Sequence, residues 1–202
     1  MTIRMALART PTLVLWTLCL PLTAGAQPDP RTVTADPVVV ANASGTPIGA
    51  SPAGYDVVVR DPYPTPAPGR VVTLDFFDAR VRLHAVQNAG TTLDCAARAI
   101  SRVTDAAGAV NFAVRGGGFD NTDRIDVILD GVVFARVKGR STDLDGIDGT
   151  TGLYDFALFG ANFLNNAAAH ETDFDVTGTT NLGDFAIFGA EFLGGATGAY
   201  CP

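Results

Sequence analysis

The chain has 202 residues, 47% of them hydrophobic and 17% charged, with 21 acidic against 14 basic side chains and a formal net charge of −7. That length suits one moderate domain with a small companion, and the acidity concentrated near the C-terminal end speaks against nucleic acid or an anionic membrane surface as partner. The charge is unevenly divided: residues 27–140 set 12 Asp against 12 Lys+Arg, whereas residues 141–202 hold nine acids and no base.

Residues 1–26 read as a secretory signal peptide. Arg4 and Arg9 give the positive start, Leu13 to Leu22 the apolar centre, and Ala24-Gly25-Ala26 an A-x-A cleavage motif. The apolar run is too short to span a bilayer, and no other stretch predicts a membrane span. A secreted, extracellular or cell-surface chain is therefore expected, starting with an N-terminal tail at residues 27–35.

Residues 36–140 predict strands and no useful helix. The candidates are residues 37–42, 55–60, 71–76, 80–86, 93–103, 109–114, 125–129 and 132–137. Alternation is plainest where Val81, Leu83 and Ala85 face one way and Arg80, Arg82 and His84 the other. Proline between Pro62 and Gly69, glycine from Gly116 to Asp123, and the hairpin dipeptide Asp130-Gly131 separate them. So many short strands predict an antiparallel β-sandwich. The phrases Asp56 to Asp61, Pro66 to Leu74 and Thr104 to Phe112 are similar to the bacterial immunoglobulin-like repeats of the invasin type. That resemblance implies a structural or adhesive immunoglobulin-like domain without an active site.

Motifs for catalysis are missing. His84 and His170 stand beside no nucleophile signature and read as solvated surface side chains. Neither a Gly-x-Ser-x-Gly, a His-Glu-x-x-His nor a phosphate-binding glycine loop is present. Gly116-Gly117-Gly118 reads as a flexible loop, and Asp120, Asn121 and Asp123 as a weak cation site or, more simply, an Asx-turn. Cys95 and Cys201 survive signal cleavage. An even count in an oxidising compartment invites a bridge that would clasp the tail to the first domain; the alternative is two separate thiols.

Residues 141–199 write one loop-and-helix unit twice. DLDGIDGTTGLYDFALFGANFL runs from Asp143 to Leu164 and DFDVTGTTNLGDFAIFGAEFL from Asp173 to Leu193, with a period of 29 residues once Gly149 is set over Gly178. Such periods mark supersecondary units too small to bury an apolar face alone. In the second copy Asp173, Asp175, Thr177, Asn181 and Asp184 fall at the alternating positions from which a loop offers oxygens to Ca²⁺, with Gly178 at the sharp turn. The first copy offers Asp143, Asp145, Asp148 and Asp155, with one extra residue between Asp145 and Asp148 and glycine at Gly152. Phe156, Phe159, Phe163 and Phe185, Phe188, Phe192 give each following helix an apolar stripe. Asp155 and Asp184 suit the helix starts. Nine uncompensated acids repel one another, and divalent cations would relieve them.

These repeats resemble the dockerin family, pairs of EF-hand loops lacking the first helix, over residues 143–193. The resemblance implies Ca²⁺ in both loops, held by the residues named, and docking onto a cohesin module. Leu153-Tyr154 and Leu182-Gly183 stand where cellulosomal dockerins often carry a hydroxyl pair, and the helices lack the family's basic residues. The expectation is a secreted, non-catalytic Ca²⁺-binding protein. Its dockerin-like repeats (141–199, then a tail at 200–202) would dock an extracellular protein, cohesin-like or a cell-surface component, beside an immunoglobulin-like domain (36–140). The alternative is an adhesin whose sandwich binds the ligand while the repeats are a Ca²⁺-stabilised cap.

Overall fold

The strand from Val38 to Asn42 is buried at all five residues, and it divides the protein into two cores. Val39 and Ala41 point into the larger one; Val38 and Val40 point into the smaller. This is the period of two acting on a run of apolar residues with no solvent face.

The computed structural model describes residues 33–49, 54–63, 65–165 and 170–202. The expected signal peptide, residues 1–26, lies outside them, as do residues 27–32 of the expected tail. The described chain is mainly β, with a helical pair at its C-terminal end. Its strands are β1 (Val33–Ala35), β2 (Val38–Asn42), β3 (Tyr55–Val59), β4 (Val71–Asp75), β5 (Arg82–Leu83), β6 (Thr92–Asp94), β7 (Ala99–Val103), β8 (Ala109–Phe112), β9 (Val114–Gly117), β10 (Asp120–Leu129) and β11 (Val132–Ser141). Helices α1 (Leu153–Leu164) and α2 (Leu182–Gly194) follow. A small sheet, β1-β3-β8, faces a large one ordered β5-β9-β2-β11-β10-β4-β7-β6. Tyr55, Val57, Val59 and Phe112 from the small sheet meet Val72, Leu74, Ile125 and Val127 from the large one in the first core.

Several expected boundaries shift. The end of the supposed tail, Val33–Ala35, is β1, because it finds β3 as an antiparallel partner. Residues 93–103 form two strands, since Cys95–Arg98 turn back with Arg98 at φ +52°. Of residues 80–86 only Arg82–Leu83 is a strand. The pairing is not all antiparallel either: β2 runs parallel to both β11 and β9. The Gly116-Gly117 pair, expected to be loop, is strand. It lies so close to Arg82, Asp143 and Tyr200 that a Cβ at either glycine would collide. Asp130 and Gly131 both take positive φ at the β10–β11 turn, as that hairpin requires.

The repeats pack against the β part. β11 runs through Ser141, past the expected boundary at 140. The Phe stripes then close the second core: Phe159, Phe174 and Phe188 are buried with Leu144 against Val38, Val40 and Ile48. Phe156 meets Phe188 and Phe192 while Phe163 meets Phe185, so α1 and α2 run antiparallel. Glu191 of α2 accepts from the Ser44 hydroxyl at 2.6 Å and adds a polar tie to the β part.

Phe159→Ala removes the ring that stacks on both Phe174 and Phe188 and is expected to cost about 3–5 kcal/mol. Because β2 belongs to both cores, helix and sheet signals in a denaturant titration should shift together. A helix signal that falls while the sheet signal stays put would contradict the shared core.

Candidate metal centre

The two acidic loops close by the same hydrogen bonds although their sequences differ. At the base of each, the helix-start aspartate reaches back: Asp155 accepts from the amides of Asp145 (2.9 Å) and Gly152 (2.8 Å), and Asp184 from those of Asp175 (3.1 Å) and Asn181 (2.8 Å). Two threonine hydroxyls bond across each loop, Thr142 with Thr151 at 2.9 Å and Thr172 with Thr180 at 2.6 Å. Each loop turns through two left-handed residues, Gly146 and Gly149 in the first, Val176 and Gly178 in the second. Glycine adopts that conformation at no steric cost; Val176, β-branched at φ +59°, is strained there.

The extra residue of the first loop falls between its two left-handed turns. Ile147 is 71% exposed, so the insertion bulges into solvent, and Asp148 beside it is exposed too. Carboxylate oxygens of Asp143, Asp145 and Asp148 lie within 4.8 Å of one another, as do those of Asp173, Asp175 and Asp184. Three convergent carboxylates per loop are the donor set that a hard divalent cation takes. Asp155 stays outside the first trio, as cap of α1. In the second loop the Thr177 hydroxyl donates to Asp175 at 2.7 Å, and the Asn181 amide nitrogen donates to that hydroxyl at 2.9 Å. Asn181 also caps α2, accepting from the Gly183 amide at 2.6 Å.

The surroundings distinguish the loops. Asp173 is paired with the buried Arg140 guanidinium, 3.3 Å away, which also donates to the Asp173 carbonyl. Among the described residues no basic side chain pairs with Asp143; it accepts from the Tyr200 hydroxyl and the Gly146 amide. Burial pushes the Asp143 carboxyl up to about 7, opposed by the Tyr200 bond and assisted by the Asp155 charge. Burial also raises Asp155 and Asp184, against the backbone amides they accept from. Arg140 is held below its ordinary value by burial, with Asp173 opposing.

Arg140 and Tyr200 escaped the sequence reading because both sit outside the repeat. The threonine pairs were readable from the repeat offset. His84 is not a solvated side chain: it is 1% exposed beneath the C-terminal tail, while His170 is exposed. Asp120 accepts from the amides of Thr122 and Arg80, an Asx-type turn, and joins no acidic trio. Cys95 and Cys201 are joined by a disulfide across 106 residues, so residues 200–202 are not a free tail.

No protein-family model, curated protein or solved structure matches this chain. Among the described residues no helix is long and apolar enough to cross a membrane.

Asp143 gives this site a pH signature. Its folded value, about 7, lies above its ordinary 3.8. Folding therefore favours the protonated form, and that contribution is complete below the unfolded value and lost as pH rises through the folded one. In chelator, stability to denaturant should fall between about pH 4 and pH 7, and Asp143→Asn should flatten part of the slope, the raised Asp155 and Asp184 carrying the rest. An unchanged slope in the variant would place the effect elsewhere.

Proposed function

We propose that this protein is a secreted, non-catalytic Ca²⁺-binding protein whose C-terminal loop–helix repeats, dockerin-like in sequence, dock a partner outside the cell. One observation carries the reading: two loops of different sequence and length each bring three carboxylates together, Asp143, Asp145 and Asp148 in one and Asp173, Asp175 and Asp184 in the other. Nine acids without a base in residues 141–202 give the cations a further role, since charge that repels in their absence becomes ligand in their presence. Energy of binding at such loops is also folding energy. On this reading Asp143, Asp145 and Asp148 hold one ion and Asp173, Asp175, Asp184 and Thr177 the other. Leu153, Tyr154, Leu164, Leu182 and Leu193, all more than 60% exposed on the helices, are the apolar positions a partner would cover. The β part is read as an immunoglobulin-like sandwich of invasin type, supported by two facing sheets over one core.

The second reading, an adhesin whose sandwich binds the ligand under a Ca²⁺-stiffened cap, is favoured by the core that the repeats share with β2. Charging the helix face with Leu182→Asp and Leu193→Asp separates them: a docking repeat loses its partner, and a cap keeps it.

Calorimetric titration of Ca²⁺ into chelator-treated protein tests the common premise. Two sites are expected, with Asp145→Ala and Asp175→Ala each weakening its own site by about tenfold or more and sparing the other. No heat up to millimolar Ca²⁺ would end the metal reading.

A further inference from the structure

Residues 196–202 run as a strap over the first acidic loop and the β part. Thr197 bridges to Thr150, the Gly198 amide donates to the Gly149 carbonyl at 2.9 Å, and the Ala85 amide donates to Ala199 at 2.7 Å. Tyr200 bridges to His84 and donates its hydroxyl to Asp143, and the Arg82 guanidinium stands 4.2 Å over its ring. The Cys201 amide donates to Leu83 at 2.9 Å, and its sulfur is bonded to Cys95. Cys201 is also the strap residue that packs against the first core.

What the strap covers works against it. The His84 ring lies edge-on to Tyr200 at 4.9 Å, and a Cβ at Gly198 would run into it. Neither imidazole nitrogen has a partner among the described residues. Opening the strap to water would satisfy both nitrogens, so closure leans on the covalent link. That link is reachable: both cysteines are half-buried. Cys201 lines a cleft of about 420 Å³ with Arg80, Arg82 and Arg98. Neighbouring guanidinium groups favour a departing thiolate and draw in an anionic one.

We propose that the strap is redox-controlled: a dithiol reductant that cleaves Cys95–Cys201 lifts residues 196–202, uncovering His84 and releasing Asp143, while the sheets stay folded. The dithiol supplies two electrons and two protons, closes to its own disulfide and leaves two thiols. The inference goes beyond the Ca²⁺ reading and does not depend on it.

Hydrogen exchange of the oxidised protein and of the protein in dithiothreitol tests this. The amides of Ala85, Gly198 and Cys201 should exchange at least about tenfold faster on reduction, with those of β10 and β11 unchanged. Proton resonances of the imidazole give a second readout. Burial and the Arg115 charge hold His84 down to about 4, from an ordinary 6.5; Tyr200, with Asp143 and Arg82 about its ring and hydroxyl, is the other ionisable neighbour. Reduction should move the titration back towards the ordinary value, and Cys95→Ser with Cys201→Ser should reproduce the shift without reductant. Unchanged strap amides after confirmed reduction would overturn the proposal. Loss of protection through β10 and β11 as well would overturn it too, making the disulfide a staple of the whole fold.

Discussion

A strand without a solvent face has to be covered twice, and β2 is such a strand. Its valines form the floor of the helical core and, one residue out of phase, the wall of the sandwich core. β2 pairs in parallel with both β9 and β11, so neither of its edges is left open. The helix pair is therefore a structural lid on the β part. Without it Val38, Val40 and Ile48 would lose the phenylalanines that cover them.

The helices need that support as much as they provide it. At 12 and 13 residues, α1 and α2 are short for helices that must stand alone. Each begins with an acid that suits the dipole, and neither ends with a base. Their stability comes from interleaved phenylalanines and from the loops that aim them. Asp155 and Asp184 join those two sources, since each bonds its own loop amides while starting its helix.

Much of this was legible in the sequence because it is periodic. The repeat of 29 residues named the loops, the helix starts and the Phe stripes, and the paired left-handed turns confirm where the insertion lies. Alternation located most strands, and turn dipeptides separated them. What stayed hidden depends on residues brought together from far apart. Nothing local tells that Arg140 at the end of β11 lies against Asp173, or that Tyr200 returns to Asp143. His84 was misread for the same reason: its strand alternation faces outward, and the tail that covers it comes from more than 100 residues later, across the bridge of separation 106. The glycines from Gly116 were misread because a residue that loosens a loop also lets two strands and a side chain crowd one point.

Duplication gave both loops the same internal bonds, and the surrounding fold then made them unequal. Arg140 already places a positive charge on Asp173, so the second loop stands partly neutralised by its own protein. Asp143 has a phenol instead, an uncharged donor, and its carboxylate is costly to ionise while buried. A cation entering the first loop thus removes a penalty that the second loop does not carry to the same degree, and it displaces a proton in doing so near neutral pH. In the second loop the entering cation competes with the Arg140 guanidinium, 3.3 Å from Asp173. On the Ca²⁺ reading, the loop with the irregular sequence is the one whose electrostatics ask most for an ion. The difference is set by the two residues that the repeats do not contain.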